Sequence, residues 1–222
     1  MSATKERPML FNGAMVRALL SNNKTQTRRP LYVLTKNARS ACFDRRYLMP
    51  FDLPPVGIVY TLSNWRYAEP GDKIWVRETF FAFGRWETRF SAKKGRDEWH
   101  FIDMTRECGR AYQYAADNHD VVVASGYGPL PGWYKRPAIF MPRWASRITL
   151  EIVSVRVERL QEISEADAIA EGAPGGHGAI PGYSYSATSK EHYQHFWEQI
   201  NGAGSWDANP WVWVIEFKRI EL

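Results

Sequence analysis

The chain has 222 residues, of which 14% are aromatic and ten are tryptophan, which is ample material for a packed globular core. Its apolar runs are shorter than the roughly 18 residues needed to cross a bilayer, and its N-terminal residues lack the apolar segment of a secretory signal. Two cysteines without ligand spacing support neither a disulfide framework nor a structural zinc site. We therefore expect a cytoplasmic globular protein that needs no metal, cofactor or membrane.

The net charge of +5 is distributed unevenly along the chain. Residues 1–46 hold ten Lys or Arg and two acids, a net charge of +8, so the remaining residues carry −3. A localised positive field is typical of proteins that bind phosphates, since each Lys or Arg placed on a nucleic-acid backbone releases condensed counterions. A solvated basic surface that keeps the protein soluble explains the same pattern equally well.

The N-terminal elements are short. Residues 8–11 predict a strand, and Asn12 is placed to cap the helix that follows. Asn22 and its neighbour Asn23 favour the left-handed conformation that ends helices. Residues 24–29, Lys-Thr-Gln-Thr-Arg-Arg, then predict an extended segment up to Pro30. The result is a compact cluster of Lys, Thr and Arg side chains, in which Arg28 and Arg29 are candidate nucleic-acid or ligand contacts.

The middle of the chain gives weaker signals. Residues 31–68 show no clear period, and residues 79–140 are rich in loop residues, with one short strand predicted at 111–115. We interpret both segments as loop-rich insertions. Between them a Pro-Gly-Asp turn at 70–72 leads into an alternating strand at 73–78.

The C-terminal third carries the clearest periodicity. Residues 148–160 alternate apolar and polar side chains, which predicts a long strand. Ser164 caps a following helix that has acids in its first turn and Gly172 as its stop signal. Residues 172–189 are typical of a flexible loop, and they precede a second amphipathic helix and a closing strand, at about 190–200 and 211–218. No repeat or linker divides the chain, so we predict one domain over residues 1–222.

Four segments, taken in this order, resemble the ASCH family, a branch of the PUA-like superfamily: Lys24–Arg29, Gly71-Asp72, Leu160–Gly172 and Trp213–Lys218. Long phage and prophage members are the most similar, because they also share residues 75–78 and 141–147. The resemblance implies an α+β fold built on a small β-barrel with flanking helices. It also implies a basic cleft able to hold RNA, an extruded base or a free nucleoside.

The same resemblance implies a set of catalytic residues. Some small ASCH members are amidohydrolases that remove acetyl from N4-acetylcytidine with a Lys, a Thr and a Glu, which fall here on Lys24, Thr27 and Glu171. A Thr hydroxyl attacks when a base takes its proton, and a Lys is such a base if burial or cations such as Arg28 and Arg29 lower its pKa. Glu171 would orient the lysine or protonate the leaving amine. Each residue also has an ordinary interpretation: phosphate contact for Lys24, an outward strand position for Thr27, and a solvated acid for Glu171.

A second candidate set lies where two predicted strands end or begin, the position of barrel-mouth residues. It comprises Glu78, Arg143, Trp144 and Arg147. An Arg beside a Trp offers phosphate contact and base stacking together. In the alternative interpretation, Trp144 belongs to the core and Arg147 is a salt-bridge partner.

Three functions are consistent with these residues. The first is a module that binds RNA, a nucleotide or a modified nucleoside without altering it. The second is an amidohydrolase acting on an acylated nucleoside at Lys24, Thr27 and Glu171. A ribonuclease is the third, and it is disfavoured because no general base such as a histidine lies near the arginines in the sequence.

Overall fold

The computed structural model describes residues 4–31, 69–117 and 120–220, and the fold of these residues is α+β, as predicted. They form three α-helices: α1 (Gly13–Leu20), α2 (Glu165–Ala170) and α3 (Ser189–Asn201). The strands are β1 (Glu6–Leu10), β2 (Gln26–Pro30), β3 (Lys73–Arg77), β4 (Phe80–Ser91), β5 (Arg96–Asp103), β6 (Gln113–Tyr114), β7 (Gly132–Arg136), β8 (Thr149–Arg159), β9 (Gly176–His177), β10 (Ser186–Ala187) and β11 (Trp211–Ile220). The predicted insertion at 31–68 lies, apart from Leu31, outside the described residues.

Three sheets organise these strands. A five-stranded sheet has the order β1-β3-β8-β11-β2, a second sheet has the order β5-β4-β6 with β7 also paired to β4, and β9 pairs with β10. The pairing recorded among the described residues leaves each sheet open. The α+β class is therefore established, and closure into a barrel stays a prediction.

By their contacts the described residues form two compact units. The first contains those within Met1–Arg7, Ala18–Ile74 and Leu150–Leu222, and the second contains Pro8–Arg17 and those within Trp75–Thr149. In the first unit α2 and α3 pack together, and Tyr193 and Trp197, four positions apart on α3, join a buried core with Leu160, Val212 and Val214. In the second unit the buried residues include Trp75, Phe80, Ala82, Met141 and Ala145.

The local signals at the helix ends act as the sequence predicts. Asn12 Oδ1 accepts a hydrogen bond from the Met15 amide at the start of α1, and Asn22 has a positive φ of 58° just after its end. Ser164 and Asp167 form a reciprocal capping box at the start of α2. None of the helices in the described ranges is long and apolar enough to span a membrane.

Two predicted loop segments contain strands. Instead of loops, the first part of residues 79–140 forms a long antiparallel hairpin, in which β4 pairs with β5 from Gly84↔Asp103 to Ser91↔Arg96. Gly84 is required there, because a Cβ at this position would lie 2.1 Å from the Ile102 carbonyl oxygen. Within residues 172–189, β9 and β10 form a short hairpin, and Ala173, Ile180 and Ala187 are buried.

Candidate functional site

The first candidate cluster lies in the first unit, where β2 approaches the end of α2. Lys24 follows the turn after α1, and the Thr25 amide donates to the Ala170 carbonyl, which ties this segment to the end of α2. Glu171 is the C-cap residue of α2, and Gly172 ends the helix with a positive φ of 90°. Helix capping and backbone pairing thus bring two residues together that are 147 positions apart in sequence.

Lys24 and Glu171 form a buried ion pair. The distance from Lys24 Nζ to Glu171 Oε2 is 2.6 Å, and the two side chains are 0% and 3% exposed. Lys24 Nζ also donates to the Glu171 backbone carbonyl at 2.8 Å, so it satisfies one of the carbonyls left unpaired at the helix end. The pair is therefore fixed by two hydrogen bonds from one ammonium group.

Arg28 adds a second buried cation to this cluster. Its guanidinium lies 3.0 Å from Glu158, 3.3 Å from Asp167 and 3.6 Å from Glu171 Oε1. With the Gln26 amide oriented so that its nitrogen donates to Asp167, its oxygen accepts from Arg28. Because its charge is balanced by three carboxylates and its side chain is fully buried, Arg28 does not contribute an exposed cation.

Burial dominates the electrostatics of the cluster. Desolvation lowers the pKa of Lys24 below its ordinary value, the nearby Arg29 and Arg28 lower it further, and the attraction of Glu171 opposes these effects. Desolvation also raises the pKa of Tyr193 well above its usual range, and Glu171 adds to that rise. Lys24 is thus easier to deprotonate than a surface lysine.

Thr27 is buried, but it is placed differently from Lys24 and Glu171. It pairs with Ile215 in the register between β2 and β11. Since successive side chains of a strand point to opposite faces, Thr27 and Arg29 lie on the face opposite Gln26 and Arg28. The hydrogen bonds of Lys24 Nζ go to Glu171 rather than to the Thr27 hydroxyl. The structure therefore joins Lys24, Arg28 and Glu171 by direct contacts. Thr27 and Arg29 lie on the opposite face of β2, although Arg29 is near enough to Lys24 to lower its pKa.

The second candidate set lies in the second unit and is built around Arg147. Its guanidinium contacts Glu78 at 2.9 and 3.1 Å and Asp117 at 2.7 Å, and it lies 3.9 Å from the centroid of the Tyr114 ring. Desolvation raises the pKa of the buried Glu78, and Arg147 opposes that rise. Arg147 thus forms salt bridges, which is the role that the alternative interpretation of the sequence gave it.

Arg143 and Trp144 do not present a joint surface. Arg143 Nη2 donates to the Thr149 hydroxyl at 3.2 Å, and its guanidinium lies 6.0 Å from the centroid of the Trp75 ring. Trp144 is 64% exposed and its Nε1 donates to the Tyr112 hydroxyl at 3.2 Å. The interpretation of Trp144 as a core residue is therefore wrong, because most of its surface is exposed.

Sequence reasoning did not identify the acids that surround Arg28. Glu158 lies on the alternating strand β8, and Asp167 is the third residue of α2, where its role in the capping box was the visible signal.

Within residues 4–31, 69–117 and 120–220, no three His, Cys, Asp or Glu side chains are grouped so that they could hold a metal ion. Comparisons with protein-family models, with curated proteins and with solved structures gave no match for this chain.

Proposed function

We propose that this chain is an ASCH-type protein of the PUA-like superfamily that recognises RNA or a modified nucleobase at the cluster of Lys24, Arg28 and Glu171. The observation that carries the proposal is the 2.6 Å contact between Lys24 Nζ and Glu171 Oε2. These are two of the three positions at which the ASCH resemblance places functional side chains. The five-stranded sheet with its flanking helices is the part of the fold from which a PUA-like barrel would be built.

The cluster has the chemistry of a base-recognition site. Glu171 Oε1 is buried and has no hydrogen-bond partner among the described residues, although Arg28 Nη1 lies 3.6 Å away. An exocyclic amino group of a base is a suitable donor to this oxygen. Buried polar groups of this kind discriminate strongly, because a ligand that lacks the matching group leaves them unpaired.

Other basic residues would meet the phosphates. Lys24 and Arg28 are buried beside carboxylates, whereas in the same unit Lys5 is exposed and Arg7 and Arg29 are half-buried. Four further Lys or Arg residues of the basic segment 1–46, at positions 36, 39, 45 and 46, lie outside the described residues. In this proposal the buried cluster reads the base, and the more exposed cations supply the salt-dependent part of the affinity.

The proposal predicts salt-dependent binding of single-stranded RNA. We expect Arg29→Gln to reduce the slope of log affinity against log salt by about one, because one phosphate contact is lost. Glu171→Gln should weaken binding without changing that slope. Fluorescence anisotropy with labelled RNA and DNA oligomers at several salt concentrations measures both effects, and circular dichroism verifies that each variant is folded at the assay temperature.

The matched control is Arg89→Gln, which removes the same charge from an exposed side chain on the hairpin of the second unit. It should leave the affinity and the slope unchanged. Absence of RNA binding by the folded wild type, or an equal loss in the Arg89 variant, would contradict the proposal.

The amidohydrolase is the second candidate, and the lowered pKa of Lys24 is the observation that favours it. A lysine whose pKa is lowered is neutral over a wider pH range and is thus able to act as a general base. The position of Thr27 on the strand face opposite Arg28 weighs against Thr27 as the nucleophile activated by Lys24. Recognition without turnover is therefore the better supported function.

Turnover of N4-acetylcytidine separates the two candidates. If the chain is an amidohydrolase, we expect cytidine release by the wild type and by Thr27→Ser, and a loss of at least about 100-fold in Thr27→Val, which keeps the volume but removes the hydroxyl. Chromatographic detection of cytidine is the measurement. If the chain only binds, none of the three proteins releases cytidine and Thr27→Val retains RNA affinity.

A further inference from the structure

An open cavity lies in the second unit, outside the cluster of Lys24, Arg28 and Glu171. Its volume is about 480 Å³, within the range of about 300–1,000 Å³ typical of small-molecule sites. It is lined by Asp103, Arg106, Glu107, Tyr112 and Trp144. An indole, two carboxylates and a guanidinium around one cavity are groups that together recognise a flat, hydrogen-bonding ligand.

The Trp144 ring is held in place although most of it is exposed. Its Nε1 donates to the Tyr112 hydroxyl, which in turn donates to Asp103 Oδ2 at 2.8 Å. Asp103 Oδ1 accepts from the amide and the hydroxyl of Thr105, at 2.9 and 2.6 Å, and Thr105 is fully buried. Burial raises the pKa of Tyr112 to about 12, and the bond to Asp103 adds to that rise, so the hydroxyl stays protonated. A fixed, exposed ring loses little conformational freedom when a ligand stacks on it.

Two charged side chains of the cavity are available to a ligand. Arg106 and Glu107 are exposed, and among the described residues neither side chain forms a hydrogen bond or an ion pair. Asp103 differs from them, since both of its oxygens already accept hydrogen bonds from Tyr112 and Thr105. Glu107 is therefore the acceptor and Arg106 the cation that remain for binding.

We propose that this cavity binds a guanine nucleotide, with the base stacked on Trp144, its N1–H and N2 amino group donating to the Glu107 carboxylate, and its phosphate on Arg106. Guanine is the base that suits a carboxylate, because two adjacent donors lie on its Watson–Crick edge. Adenine and cytosine present an acceptor beside their amino group there, and uracil presents a single donor between two acceptors. An indole provides the stacking surface and an arginine provides the phosphate contact.

The test is isothermal titration of the full chain with GMP, IMP and AMP. IMP lacks only the N2 amino group, so it isolates one of the two hydrogen bonds to Glu107. We expect GMP to bind at least about tenfold more tightly than AMP, with IMP between them, which is the discrimination expected of a paired hydrogen bond to a base edge. Glu107→Gln should remove most of the preference for GMP, and Trp144→Ala should lower the affinity for all three nucleotides.

Trp99→Ala is the matched control, because it removes a partly exposed tryptophan from the same unit at a position that does not line the cavity. It should bind GMP as the wild type does. Equal affinity for GMP and AMP, or unchanged GMP binding by the folded Trp144→Ala variant, would overturn the proposal. A single-stranded RNA with one guanosine distinguishes a free nucleotide from a guanine within a strand: binding of that RNA more tightly than GMP, with the same dependence on Glu107, identifies the strand as the ligand.

This inference does not rest on the proposed function of the first cluster. Glu171→Gln should leave GMP binding intact, and Glu107→Gln should leave the salt slope of RNA binding intact. Failure of one set of experiments therefore leaves the other interpretable.

Discussion

Glu171→Ala should lower the free energy of unfolding by about 3–5 kcal/mol, because it leaves two buried cations without their shared carboxylate. Lys24 loses its side-chain ion-pair partner at 2.6 Å, and Arg28 loses one of three acidic neighbours. Urea unfolding followed by tryptophan fluorescence measures the change, since the midpoint falls while the slope stays constant if the transition is two-state.

The double variant Lys24→Met and Glu171→Leu is the informative companion. Replacing both members of a buried ion pair with apolar side chains of similar volume is often neutral, so we expect it to recover most of the lost stability. A loss of less than about 1 kcal/mol in Glu171→Ala would contradict a buried ion pair at this position.

Arg147→Met should cost about 3 kcal/mol near pH 7 by leaving Glu78 buried beside Asp117 without its cation, and the loss should shrink as the pH falls. Burial and the charge of Asp117 raise the pKa of Glu78, and only Arg147 opposes them, so in the variant the pKa rises further. A raised folded-state pKa means that the folded protein binds more protons than the unfolded chain. The contribution of Glu78 to the free energy of unfolding is therefore largest at low pH, and it is lost as the pH rises through the folded-state pKa. Unfolding free energies at about pH 7.5 and about pH 5, compared with those of the wild type, test the sign.

The pH dependence is assigned to Glu78 by a second substitution. Glu78→Gln in the Arg147→Met background replaces the titrating group with a neutral one of the same shape. The difference between the two pH values should then disappear, whereas its persistence would assign the effect to other groups.

The elements that the sequence predicted well are those with local causes. Ser164 and Asn12 are caps whose hydrogen bonds lie within their own turns. The segment predicted as a long strand forms β8, although its burial alternates only in the first half, from Leu150 to Val153. The meeting of Lys24 and Glu171 was also anticipated, through the family resemblance rather than through any periodicity. Helix caps and strand alternation can be predicted from one sequence because they depend on residues that are close together in the chain.

The elements that were missed depend on contacts distant in sequence. The first residues of β4, Phe80, Phe81 and Ala82, are all buried, so the strand shows no alternation, and much of β5 is polar and exposed. Arg147 looked like a ligand-binding residue because neither of its partners, Glu78 and Asp117, is close to it in sequence. The opposite faces of Thr27 and Arg28 follow from strand geometry, which the resemblance alone did not take into account.

The place of β2 in its sheet determines when this strand meets its partner during synthesis. β2 lies at the edge of the five-stranded sheet and pairs there with β11, which runs to Ile220. A ribosome delivers about 5–20 residues per second from the N-terminus, so β2 emerges before its partner and stays unpaired until the 180 residues between the two strands have been translated. A nascent chain that stops short of β11 therefore exposes β2 as an unpaired strand, which is able to pair with other chains.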